Sequence, residues 1–208
     1  MRGFFISIEG LDGSGKTTQI EAIKKHLENK GLDVIFLREP GGTEIGEKIR
    51  HILLDAGNKE MDPVAEMLLY AASRAQMVAQ KVLPLLEANK TVVCDRYIDS
   101  SIAFQGYGRE LDIEQVRQVN MIAVRNLLPD LTLFIDVEPE TSIGRRKSVS
   151  LTDRLENEPL EFHKKVYRGY QELCSRYPGR MVPVDGRLSS EEITAIAIGH
   201  INHLIEKE

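Results

Sequence analysis

The stretch Glu9-Gly10-Leu11-Asp12-Gly13-Ser14-Gly15-Lys16-Thr17-Thr18 places Gly10, Gly15, Lys16 and Thr17 on the fixed positions of G-x-x-x-x-G-K-[ST]. Glycines at 10, 13 and 15 let the backbone turn tightly, so that successive amide N–H groups face an anion. In that cradle a lysine at 16 reaches β- and γ-phosphate oxygens, and a hydroxyl at 17 sits on Mg²⁺. The flanking residues supply the context this chemistry needs. Phe4-Phe5-Ile6-Ser7-Ile8 is a short apolar run suited to a buried strand, and Ile20, Ile23 and Leu27 then recur at helical spacing. Strand, glycine loop and helix in that order bring a helix N-terminus against an anion. The stretch reads as a nucleotide-phosphate site.

A second set of residues bears on which phosphate chemistry this is. Arg50, Arg74, Arg96, Arg145, Arg146, Lys147 and Arg154 fall on or near loops that belong at the same edge of a sheet. Phosphoryl transfer between two nucleotides must hold two polyanions together, and cations offset their repulsion, with arginine forks matching phosphate oxygens. The acceptor would be a phosphate oxygen already deprotonated near neutral pH, so the lack of an evident His or Glu base is expected. His26, His51, His163, His200 and His203 lie in helical stretches without ligand spacing and all read as surface. A guanine-reading N/T-K-x-D is missing, since Asn89-Lys90-Thr91-Val92 lacks the aspartate. Asp95 and Asp136 each follow an apolar run, as in motor ATPases, but the chain offers no coupling module. Other readings remain open for single groups. Arg74 alone could pair with Glu66 or Glu87, Asp95 with Arg96 could be a buried ion pair, and Arg145-Arg146-Lys147 could complement a helix dipole. Tyr70 at i, i+4 from Arg74 projects from the same helix face, which favours a shared site.

The elements that must position these groups alternate. Strands are predicted near 4–8, 33–38, 91–95, 131–137 and 180–184, the last interrupted by Pro183 and so best at an edge. Helices are predicted from Lys16 to about Asn29, from Thr43 to about Ala56 and over 62–89 with a kink or break at Pro84. Further helices follow over 97–104, 113–128, from Pro139 into Arg145, over 159–177 and after Ser189. Residues 105–108 and 148–155 read as loops. Nearly all-apolar strands between helices imply a parallel sheet covered on both faces, with ligands beyond the strands' carboxyl ends.

With 208 residues and no linker, repeat or low-complexity stretch, the chain reads as a single domain over 1–208. A formal net charge of -5 argues against a general nucleic-acid binder. No apolar run approaches membrane-spanning length, and the first strand begins at once, leaving no room for a signal peptide. Cys94 and Cys174 lie in unlike contexts and read as free thiols of a cytoplasmic protein.

Several motifs in order carry a resemblance: Gly10 to Thr18, Arg38-Glu39-Pro40-Gly41-Gly42-Thr43, Leu69-Tyr70-Ala71-Ala72-Ser73-Arg74-Ala75-Gln76, Asp95-Arg96-Tyr97, Ser100 to Gly106, and Asp153-Arg154-Leu155-Glu156. Together they resemble the bacterial thymidylate kinases, P-loop nucleoside-monophosphate kinases, from Phe4 to about Val184. The resemblance implies ATP + dTMP → ADP + dTDP with Mg²⁺, in a homodimeric three-layer α/β/α fold with a five-stranded parallel sheet and a lid at about 144–156. It implies that Gly10, Leu11, Asp12, Gly13, Ser14, Gly15, Lys16, Thr17 and Thr18 bind ATP with Arg145 and Arg154. Tyr70 would stack on thymine, Arg74 would bond its exocyclic oxygen, and Ser101 and Gln105 would read the ring edge beside Glu39 and Pro40. Arg50 and Arg96 would clamp the dTMP phosphate, Tyr107 would crowd the ribose 2′ position, and Asp12 would lie near the sugar hydroxyl or the metal. Thr17 and Asp95 would hold Mg²⁺. Lys16, Arg96 and Asp12 would act in transfer. Because position 13 is Gly rather than Arg, a lid cation, Arg146 or Lys147, would add transition-state charge, with adenine as an alternative partner for Arg145. Tyr70 stands where the family generally has Phe, and the lid is less basic toward its end. The same charge pattern would suit a kinase acting on dUMP or UMP, or a P-loop regulatory module without transfer activity.

Overall fold

Successive side chains on a strand face opposite ways, and in the central strands both sets are apolar. The computed structural model describes residues 3–146 and 153–206. Its strands are β1 (Phe5–Glu9), β2 (Val34–Arg38), β3 (Thr91–Asp95), β4 (Leu131–Asp136) and β5 (Met181–Asp185), all parallel, in the order β2-β3-β1-β4-β5. The helices are α1 (Lys16–Asn29), α2 (Glu44–Leu54), α3 (Pro63–Met77), α4 (Leu83–Glu87), α5 (Ile98–Ser101), α6 (Ile113–Ala123), α7 (Pro139–Arg146), α8 (Leu160–Arg176) and α9 (Ser190–Glu206). Ile6, Ile8, Val93, Leu133 and Ile135 pack on one side against Ile23 and Leu27 of α1 and Ile193, Ala197 and Ile201 of α9. Phe5, Val92 and Cys94 face the other way onto Met77 and Leu86, and Phe134 meets Val166 and Tyr170 of α8. The expected three-layer α/β/α arrangement follows from that two-sided burial.

Ends of elements follow local chemistry. Thr43 caps α2 by accepting from Gly46 N at 3.0 Å, and Asp62 caps α3 ahead of Pro63. Ser189 and Glu192 form a reciprocal capping box before α9, at 2.9 and 3.3 Å. β5 pairs only with β4, so Pro183, opposite Phe134, lies in an edge strand. Cys94 and Cys174 are both free.

Three stretches differ from expectation. Ahead of Pro84 the helix widens into a π turn, Val78–Val82, where Leu83 N donates to Val78 O. The proline therefore sits in a rewound helix rather than at a break. Residues 105–108 are not a loop: helix continues from α5 as a π segment, Ile102–Gly108. It presses against α8, and a Cβ on Gly108 would lie 2.7 Å from Phe162 and 2.8 Å from Val166. Finally, α6 stops at Ala123 rather than near 128, because Arg125 and Asn126 turn to φ 52 and 61.

At the carboxyl edge the ladders run on into loops. Arg96 N donates to Ile8 O at 3.0 Å and Glu39 N to Asp95 O at 2.9 Å, so the loops after β1, β2 and β3 are fixed to one another. Gly108→Ala should cost about 1–3 kcal/mol by overpacking the π segment against α8. A lowered urea midpoint with unchanged m would show it; an unchanged midpoint would mean the contact relaxes freely.

Candidate active site

The loop after β1 needs its glycines. Gly10 has φ 147, and a Cβ there would lie 2.9 Å from Ile135 O; Gly15 precedes α1 with φ 99. The first turn of α1 has no acidic residue to compete for an anion at its N-terminus. Lys16 is buried and donates to Gly10 O at 3.1 Å and Leu11 O at 3.0 Å, with Asp12 Oδ1 3.7 Å away. Burial, then Arg96, hold its ammonium below the ordinary lysine range, against the pull of Asp12. Thr17 and Thr18 are exposed at the start of α1, and the buried Ser14 hydroxyl has no partner among the described residues.

Arg96 follows β3 with φ 69, a left-handed conformation that costs a non-glycine residue about 1 kcal/mol or more. Its surroundings hold it there. Nη2 donates to Asp12 Oδ1 at 2.7 Å, while Nη1 donates at 3.2 Å to both Ser100 Oγ and Tyr170 OH. Those two hydroxyls donate in turn to Glu9 Oε2, at 2.6 and 3.0 Å, and Tyr97 N donates to Glu9 Oε1 at 2.7 Å. A carboxylate that takes both hydroxyl protons turns their lone pairs toward the guanidinium. Burial alone would lower Arg96, but Asp12, Tyr170, Asp95 and Glu9 together hold it well above its ordinary value. For Glu9, burial and Asp99 push the carboxyl up against Arg96. The guanidinium also lies over the Phe104 ring, 5.0 Å from its centroid.

Of these groups, Asp12, Lys16, Asp95, Arg96, Ser100 and Phe104 line a cleft of about 440 Å³. The same cleft is lined by Tyr70, Arg74, Ser101 and Gln105 and by Glu39, Pro40 and Arg50. Glu66, Tyr70 and Arg74 recur every four residues on α3, so they share a face. Arg50 donates to Pro40 O at 2.9 Å, across the cis Glu39-Pro40 loop. Burial, with Glu66 and Asp153 adding to it, raises the Tyr70 hydroxyl above its usual range.

Arg74 is 1 % exposed, and its ion pair is with Glu39, not Glu66 or Glu87. Nε donates to Glu39 Oε2 at 2.7 Å, Nη1 to Ser101 Oγ at 2.8 Å and to Asn120 Oδ1, and Nη2 to Tyr97 O at 3.0 Å, with Nη2 also ion-paired to Glu39 Oε2 at 2.5 Å. Four hydrogen bonds and an ion pair tie Arg74 to the protein, and through them it positions Ser101 and Glu39. Arg74 also lines the cleft in which a base oxygen is the expected partner. Burial pushes the Glu39 carboxyl up to about 7, with Arg74 opposing.

Other expected residues fall elsewhere. Tyr107 is turned from the cleft into a separate pocket with Arg117 and Arg176, packed on Gly169 of α8, because the π segment carries it to the opposite side from Gln105. Phe104 is the ring that lines the cleft there. Arg154 is buried and does not line the cleft: Nη1 meets Glu66 Oε2 at 2.7 Å and Nε donates to Leu53 O at 3.0 Å, while Nη2 has no hydrogen-bond partner among the described residues. Arg145 lines the cleft and donates to Gly186 O at 3.1 Å. Lys147 lies outside the described residues, as do residues 148–152 of the expected lid, and Arg146 is described only as the end of α7. His163 is buried rather than on the surface. Among the described residues no cluster of three His, Cys, Asp or Glu side chains could cage a metal. Asp95 Oδ1, buried and unpartnered at the cleft, nevertheless fits a cation that draws its remaining ligands from phosphates and water.

Glu9, Ser100, Tyr170 and Phe104 were not legible as site residues. Glu9 reads as the end of an apolar strand, and Tyr170 comes from a helix more than 70 positions beyond Arg96. The signal available was a carboxylate closing a buried strand beside a glycine loop. Arg74→Ala should destabilise the fold by about 3–5 kcal/mol, since it strands Glu39 in the interior. Chemical denaturation measures this, and Glu39→Gln in the same chain should recover part of the loss; a surface-like loss below about 0.5 kcal/mol would contradict the buried pair.

Comparison with known proteins agrees with this geometry. The family model described as thymidylate kinase matches residues 8–196. A thymidylate kinase of Caldanaerobacter subterraneus subsp. tengcongensis is 52% identical over 196 residues, covering 94% of this chain and 92% of that protein. One from an Exiguobacterium species is 48% identical over 191 residues, covering 92% and 90%. The crystal structure of thymidylate kinase from Ehrlichia chaffeensis superposes with a TM-score of 0.78 at 30% identity, covering 97% of this chain and 99% of that one. The chain belongs to the thymidylate kinase family.

Proposed function

We propose that the chain transfers the γ-phosphoryl group of ATP to dTMP, giving ADP and dTDP. The observation that carries this reading is the make-up of one cleft. Lys16 and Arg96 converge on Asp12 there, and the tyrosine, serine and glutamine at 70, 101 and 105 line the same cleft. ATP phosphates would lie on the loop from Gly10 to Thr18 at the N-terminus of α1. The dTMP phosphate would meet Arg96 and Arg50, with its ring against Tyr70 and its edge at Ser101 and Gln105. When both phosphates enter, they offer Lys16 and Arg96 better partners than Asp12 and the loop carbonyls, and the two cations offset charge between donor and acceptor. The acceptor oxygen carries no proton to remove, so alignment and charge do the work. Mg²⁺, held by Thr17 and Asp95 with phosphate oxygens, would supply Lewis-acid charge neutralisation.

We take residues 1–208 to act as one P-loop kinase unit in the cytoplasm, with a lid at about 144–156 and Arg146 or Lys147 as its cation. No described helix is long and apolar enough to cross a membrane. The chain would act as a homodimer. Support comes from exposed apolar side chains on adjacent helices: Ile45 and Ile52 on α2, Val64 and Leu68 on α3, and Ile122 on α6, with α3 packed against both neighbours.

ADP formation with a panel of monophosphates tests the substrate. dTMP should be preferred, and a preference for UMP would reject it. Lys16→Ala should lower kcat by about 10²–10³-fold, as expected for loss of one charge-stabilising donor; turnover at the original rate would remove the loop from the mechanism. EDTA should abolish ADP formation and added Mg²⁺ restore it, whereas activity that persists in excess chelator would contradict the metal role.

A further inference from the structure

Glu66 is fully buried on α3, one helical turn before Tyr70, and three side chains from two segments of the chain converge on it. Gln105 Nε2 donates to its Oε1 at 2.8 Å. Arg109 donates from Nη2 to Oε2 at 3.0 Å, and Arg154 Nη1 lies 2.7 Å from the same oxygen. We propose that Glu66 is a positioning residue that sets which way round the Gln105 amide faces the pyrimidine, and so discriminates thymine from cytosine.

Donors and acceptors decide this role, which rests on the assignment of this cleft to dTMP. An amide is polar end to end, and either end can face a ligand if nothing else decides. Glu66, gripped by two guanidinium groups, serves as a hydrogen-bond acceptor. It therefore accepts only the NH₂ end of Gln105, and the carbonyl oxygen is the end left for the cleft that Gln105 lines. Thymine carries a hydrogen on N3 that a carbonyl oxygen accepts. Cytosine presents a lone pair at N3, which repels the same oxygen. A site built to accept one hydrogen rejects the base that lacks it, because a buried acceptor is then left unpaired. The bland alternative is that Glu66 serves only to neutralise Arg109 and Arg154. Arg109 has a second acid, Glu158, at 2.6 Å, and Arg154 has the Leu53 carbonyl, so neither depends on Glu66 alone.

The test is the ratio of kcat/KM for dTMP to that for dCMP. In Glu66→Gln the new amide can donate to the Gln105 carbonyl, so the Gln105 amide is free to turn over. In Glu66→Asp the charge stays with the arginines but the carboxylate is drawn back from Gln105. Each change should lower the dTMP:dCMP ratio about 10-fold, the equivalent of one hydrogen bond. The same two changes made in a Gln105→Met background should leave the ratio where Gln105→Met alone puts it. The aspartate variant keeps the test intact if the glutamine variant does not fold. An unchanged ratio, an equal loss toward both nucleotides, or an undiminished effect in the Gln105→Met background would overturn the proposal. Failure of the unaltered enzyme to phosphorylate dTMP at all would instead overturn the substrate assignment, and this inference with it.

Discussion

Cations crowded at the edge of one sheet repel each other until an anion arrives, and the cleft is arranged around that constraint. Two like charges about 4 Å apart cost roughly 4 kcal/mol at an effective dielectric constant near 20. A typical neutral hydrogen bond returns only about 1 kcal/mol. Loop hydrogen bonds alone would not hold Lys16 and Arg96 at one place, and a counter-anion is needed. Asp12 supplies it, 2.7 Å from Arg96 and 3.7 Å from Lys16. Under the proposed reading, its charge lies where substrate phosphates would lie.

Three further carboxylates, on β1, after β2 and on α3, act at one remove. Glu9 orients two hydroxyls toward Arg96, Glu39 holds Arg74 inside the protein, and Glu66 gathers Gln105 with two arginines. Each is buried, and each is costly unless its oxygens are used. That cost ties the loops together. A cleft wall made of long, exposed arginines would be loose, whereas one made of arginines locked to interior acids keeps its geometry.

The strands, their parallel arrangement and the phosphate loop were legible because each depends on local pattern: apolar runs of strand length, glycines at fixed offsets, a lysine opening α1. The edge position of β5 was legible from Pro183. The base end was less so. Tyr70 and Arg74 share a helix face by spacing alone, but whether Arg74 faces ligand or protein depends on Glu39 and Asn120, brought to it from distant positions. Tyr107 was misplaced because a π segment advances each residue around the axis differently from a loop or an α-helix, so Phe104 and Gln105 take the cleft side. Arg154 was misplaced for a related reason: its partner, Glu66, is 88 positions earlier, and no local feature marks the pair. Charge type is written locally, but charge pairing is decided by the fold.

The most direct measurement is a crystal structure with dTMP and a non-hydrolysable ATP analogue bound together. Lys16 should leave the Gly10 and Leu11 carbonyls and Arg96 should leave Asp12, both turning to phosphate oxygens between the two nucleotides. If both side chains stay on their present protein partners while the phosphates lie elsewhere, the idea of Asp12 as a stand-in for substrate charge is wrong.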